Sequence, residues 1–65
     1  MKITVNGRVE DTNVATIHDL VEEKELNTEY VIVEHNGDIV KQAEWKTVQF
    51  KENDEIELLS IVGGG

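Results

Sequence analysis

The residues of this chain best suited to chemistry stand at its end, Gly63-Gly64-Gly65. With glycine near 7% of ordinary composition, three in the last three places arise in roughly 3 of 10,000 chains, so the run asks for a physical reason. Glycine has no Cβ, and a glycine tail can therefore thread a narrow channel and leave a terminal carboxylate sterically open. Three extended residues reach about 10 Å. That is enough to put a carboxylate into another protein's active site while the folded body stays outside. The competing reading is a floppy chain end with no role.

Other reactive constellations are weaker. His18 and His35 fall in different elements, with no i, i+4 histidine pair and no cysteine, so a metal site is not expected. Both are read as surface histidines, one in the first turn of a helix and one at a hairpin edge. Asp19, Glu22, Glu23 and Glu25 form the solvated face of that helix, with no pocket to raise one pKa for acid–base work. Glu52-Asn53-Asp54-Glu55 lacks the spacing and central glycine of a calcium loop. No GxGxxG, Walker A or nucleophile-elbow pattern occurs. Without cysteine, disulfides, thiolate metal sites and thiol nucleophiles are all excluded. No catalytic residue is therefore assigned and no bound cofactor is expected.

The elements that would position the tail follow from patterning. Lys2-Ile3-Thr4-Val5 alternates as a half-buried strand, Asn6-Gly7 is a hairpin signal, and Arg8 to Asp11 returns. A strict two-residue turn sets Val9 opposite Thr4, on the face away from the core, so an extra loop residue or bulge is expected to bring Val9 to Val5. Thr16 caps a helix through the Asp19 amide, and Ile17, Leu20 and Val21 form its apolar stripe. The helix ends near Lys24 or Glu25 without the usual glycine, and Leu26 folds back over it. Tyr30 to Glu34 reads as a strand buried on much of both faces. Asn36-Gly37 turns it into Asp38-Ile39-Val40, with Val33 opposite Val40. A helical turn over Gln42 to Trp45, a short extended piece from Thr47 to Phe50 and a polar turn over Lys51 to Asp54 lead to the last strand, Glu55 to Val62. Trp45 and Phe50 are read as packing residues at the sheet edge. This order implies an α+β fold of the β-grasp type, a mixed four- to five-stranded sheet with one helix across one face. Residues 1–62 form the domain and 63–65 a flexible glycine tail.

Composition sets the limits. Sixty-five residues make one small domain. A net charge of −8 argues against nucleic acid as a partner, since phosphate binding needs cations. No apolar run approaches the roughly 20 residues of a membrane span, and no signal-peptide pattern opens the chain. A cytoplasmic monomer without membrane contact is expected. On the last strand, Ile56 and Leu58 should pack under the helix, while Leu59 and Ile61 face outward just before the tail and make a docking patch for a partner.

Met1 to Gly7 (MKITVNG), Thr16 to Leu20, Val33 to Val40, Glu44-Trp45 and the ending Ile61-Val62-Gly63-Gly64-Gly65 together resemble the thiamine-biosynthesis sulfur carrier proteins (ThiS type), a ubiquitin-like group, over essentially the whole chain. The resemblance implies a protein cosubstrate. An ATP-using, ThiF-type adenylating enzyme would activate the Gly65 carboxylate, and a persulfide protein would supply sulfur to give a thiocarboxylate. Thiazole synthase would then receive the sulfur. Gly65 is the carrier site, Gly64 completes the diglycine, and Gly63 is a spacer. A molybdopterin-type sulfur carrier and a ubiquitin-like modifier are the alternatives. The absent proline and the missing helix-ending glycine depart from many relatives, but they touch the fold and not the terminus.

Overall fold

A computed structural model describes residues 1–61 of the chain. Two Asn-Gly pairs build its hairpins. Asn6 and Gly7 take φ of 50° and 81°, and Asn36 and Gly37 take 51° and 90°. Positive φ at both central residues is the turn geometry whose twist matches that of paired strands. The first turn joins β1 (Lys2–Val5) to β2 (Arg8–Asp11), and the second joins β3 (Val31–His35) to β4 (Asp38–Val40). The two hairpins share no hydrogen bond with each other. They are joined by β5 (Glu55–Ser60), which lies at the centre of a five-stranded sheet of order β2-β1-β5-β3-β4. It runs parallel to β1 and antiparallel to β3. This is the mixed sheet expected of a β-grasp fold.

The helix α1 (Ile17–Glu23) crosses one face of the sheet. Each N–H of its first turn finds an acceptor, as buried helix ends require. Ile17 and His18 donate to the carbonyls of Val48 and Trp45, and Asp19 donates to the Thr16 hydroxyl. The segment from Thr47 to Phe50 therefore serves the helix and not the sheet, with a single bridge between Gln49 and Thr16. At the other end Glu25 adopts φ 56°, the Leu26 N–H reaches the Val21 carbonyl and the Glu25 N–H reaches that of Glu22. That is a Schellman cap made without glycine, and Leu26 packs against the core as its hydrophobic lid. Ile17, Leu20 and Val21 from the helix meet Ile3, Val5, Val31, Val33, Ile56 and Leu58 from the sheet. No helix among the described residues is long and apolar enough to cross a membrane.

Four expectations need correction. The first hairpin has no extra loop residue or bulge: Val9 pairs with Thr4, as Arg8 does with Val5, and Val9 is 70% exposed on the outer face. The inner face of β2 instead carries Glu10, whose carboxylate receives Lys24 Nζ at 2.7 Å from the helix end. A polar edge strand reaching past the helix has no apolar pocket to offer a valine, so turn geometry decides the register. Second, β3 is buried on one face only, with Val31 and Val33 inside while Tyr30 is exposed and Ile32 half-buried. Third, Trp45 and Phe50 pack as read but are full members of the core, Trp45 reaching it beside the edge strand β4, where its indole N–H donates to the Val40 carbonyl at 3.0 Å. Fourth, His35 is no surface histidine, because its ring is engaged with the start of β5, as described below.

Candidate functional site

The site builds from β5 outward. Alternation along a strand sends Ile56 and Leu58 to the helix side, where both are buried, and Leu59 to the other face. Leu59 is 45% exposed, and Ile61, just past the strand, is 51% exposed. Leu59 lies directly opposite Ile32, and the Ile61 N–H donates to the Tyr30 carbonyl. Tyr30, Ile32, Leu59 and Ile61 thus share one apolar area beside the last described residue. Ile39 extends this face across β4, where it pairs with Glu34. The sequence reading named only Leu59 and Ile61 here. The continuous apolar run Tyr30-Val31-Ile32-Val33 gave no alternation to mark Tyr30 and Ile32 as outward-facing.

Above this area Glu34 and Glu57 face each other directly across β3 and β5. Like charges in that position destabilise a sheet. Gly63, Gly64 and Gly65, the proposed threading and carrier residues, lie outside the described residues, as does Val62 at the expected end of the last strand.

The start of β5 is fixed by a buried carboxylate. Asp54, 8% exposed, accepts from His35 Nε2 at 2.8 Å and the Lys51 N–H at 2.9 Å through Oδ2, and from Asn36 Nδ2 at 3.2 Å through Oδ1. Burial alone would push the Asp54 carboxyl up. The hydrogen bonds from His35, Lys51 and Asn36, with the charge attraction of His35, hold it below its ordinary value of 3.8. The Phe50 ring packs near His35, with centroids 6.2 Å apart. No nucleophile joins the pair, so its chemistry is anchoring. The polar turn expected over Lys51 to Asp54 does form, with Asn53 at φ 71°. Its burial at Asp54 had no local signal, because the side-chain partners Asn36 and His35 are 18 and 19 residues away in sequence.

The other acidic and histidine residues do not converge. His18 Nε2 lies 2.9 Å from Glu22 Oε1 along the helix surface, and Asp19, Glu22, Glu23 and Glu25 are exposed. Among the described residues no group of three His, Cys, Asp or Glu side chains could hold a metal ion.

Comparison with known proteins gives a consistent picture. The model of the ThiS family matches residues 2–65. The chain is 36% identical over 53 residues to the sulfur carrier protein ThiS of Bacillus subtilis (strain 168), covering 82% of this chain and 80% of that protein. It is 29% identical over 66 aligned positions to a thiazole synthase of Paramagnetospirillum magneticum, covering all of this chain and 20% of that protein. The crystal structure of the thiamine biosynthesis protein (ThiS) from Geobacter metallireducens superposes with a TM-score of 0.84 at 30% identity, covering the whole of both chains.

Proposed function

The chain belongs to the ThiS family, and from that premise we propose that it carries sulfur for thiazole formation in thiamine biosynthesis, held on the carboxylate of Gly65. It acts as a cosubstrate and not as a catalyst. The observation that carries the reading is the placement of β5, the central strand: Leu59 near its end and Ile61 just past it are exposed, and only Val62 separates Ile61 from the glycines in sequence.

The chemistry follows from the weakness of a carboxylate as an electrophile. A Gly65 carboxylate oxygen attacks the α-phosphorus of ATP in a ThiF-type activating enzyme, and pyrophosphate leaves. The terminal sulfur of a persulfide protein then attacks the acyl carbon, displacing AMP and forming an acyl disulfide. A second thiol cleaves its S–S bond, leaving the thiocarboxylate. Thiazole synthase takes the sulfur from there. The chain has no cysteine, so it offers no thiol for storing sulfur, and the terminus is the remaining place. A stretch similar to this whole chain lies within a protein named thiazole synthase, as fits delivery to that enzyme. The apolar area around Leu59 and Ile61 suits docking, and the net charge of −8 favours steering toward basic grooves.

The test is intact-mass measurement after incubation with ATP, the activating enzyme and a persulfide donor. One oxygen at Gly65 should be replaced by one sulfur. Appending a single residue after Gly65 should abolish the change and leave the fold intact. An unchanged mass, while the same enzyme activates another carrier, would refute the reading.

A further inference from the structure

The parallel pairing of β1 with β5 is short. Its register covers only Thr4 with Glu55 and Val5 with Ile56, and β1 then turns away at Asn6-Gly7. Along β5 the backbone groups alternate in direction. The Glu55 carbonyl and the Ile61 N–H point to the β3 side, where Asn36 and Tyr30 meet them. The groups of Ile56 and Leu58 point to the β1 side. There the Asn6 N–H donates to the Ile56 carbonyl at 2.9 Å, the last backbone bond that β1 and its turn give to β5.

Leu58 is met by a side chain instead. Its N–H donates to Asn6 Oδ1 at 2.7 Å, and Asn6 Nδ2 reaches its carbonyl at 3.4 Å. A carboxamide carries one acceptor and a donor group in the arrangement of a peptide. Asn6 therefore continues the ladder one step beyond the end of β1, while its own backbone makes the turn at φ 50°. Few residues serve both needs. Glycine keeps the turn and loses the amide. Past this point the β1 side of β5 opens, and Asn6, Leu58 and Ser60 border a groove of about 500 Å³.

We propose that Asn6 is a positioning residue for the sulfur-bearing end. Resting on the carrier reading above, this assigns it the task of holding the last turn of β5 in line. Leu59 and Ile61 then meet the activating enzyme in a fixed orientation. Asn6 acts through Leu58 and takes no part in the reaction itself. Its loss raises the ordering cost of binding and leaves the chemical step alone.

The experiment compares the full chain with Asn6→Gly and Asn6→Asp in two measurements. In native-state hydrogen exchange, the Leu58 amide should exchange at least about tenfold faster in Asn6→Gly relative to the Ile56 amide of the same sample. Using that ratio removes any change in global stability. Asn6→Asp keeps an acceptor for the Leu58 N–H and should restore most of its protection. With the activating enzyme, Asn6→Gly should raise KM about three- to tenfold with kcat nearly unchanged, the size of one lost hydrogen bond. Unchanged Leu58 protection in Asn6→Gly overturns the clamp. Lost protection with KM unmoved overturns its role in positioning. If the wild-type chain is not activated at all, the carrier reading fails and takes the positioning role with it, while the exchange ratio still decides the clamp.

Discussion

Removing the carboxylate of Asp54 should be the most damaging polar change in the molecule. Asp54→Ala leaves the Lys51 N–H, His35 Nε2 and Asn36 Nδ2 without their acceptor at a site 8% exposed. Hydrogen bonds to a charged group contribute about 1.5–3 kcal/mol each in isolation, but losses at one site are not additive and water can enter. A net cost of about 2–4 kcal/mol is expected. For a domain of this size total stability is about 3–10 kcal/mol, so the variant should lose a large part of it. Urea unfolding followed by the fluorescence of Trp45, the one tryptophan, measures the difference directly. The pH dependence gives a sharper check. The folded-state pKa of Asp54 lies below its ordinary 3.8, so the folded protein favours the ionised carboxylate more than the unfolded chain does. The resulting stabilisation is complete above 3.8 and is lost as the pH falls through the lowered folded value. The gap between wild type and Asp54→Asn should therefore narrow as the pH falls below about 4. A loss under about 1 kcal/mol for Asp54→Ala, or a gap that stays constant at more acid pH, would refute the reasoning.

Two further outcomes follow from named residues. Leu59→Asp and Ile61→Asp should each change stability by no more than about 0.5 kcal/mol, since both side chains are exposed. Steady-state assays with the activating enzyme should nevertheless show kcat/KM lowered about tenfold or more, the loss typical of an apolar anchor. Glu25→Gly should stabilise the chain by about 0.5–1 kcal/mol in the same urea assay, because a residue with a Cβ now occupies φ 56°.

What was legible beforehand was local. The Asn-Gly turns, the Thr16 cap, the apolar stripe of the helix and the pairing of Val33 with Val40 each depend on neighbours a few residues away, and each stands in the structure. The β-grasp order followed from adding them together. Three features escaped because their causes are distant. Val9 faces outward because the turn sets the register and the inner face of β2 falls to Glu10, whose partner Lys24 comes from the distant helix end. Asp54 is buried because His35 and Asn36 come to it from the other hairpin. Glu25 stands in the left-handed region because packing Leu26 on the core outweighs the local preference for glycine. At the candidate site Leu59 and Ile61 could be placed on the outer face by counting alternate residues. Tyr30 and Ile32 were missed because a run of β-branched and aromatic residues reads equally well as buried on two sides.

The central position of β5 has a consequence for how the molecule is made. Residues 4 and 55 must pair before the two hairpins belong to one sheet, so the contact that completes the fold spans most of the chain and forms late. A nascent chain still lacking residues 55–60 holds two separate ribbons and a helix with no common strand to rest on. Closure of the body thus waits for residues 55–60, and a product truncated before them has no stable sheet.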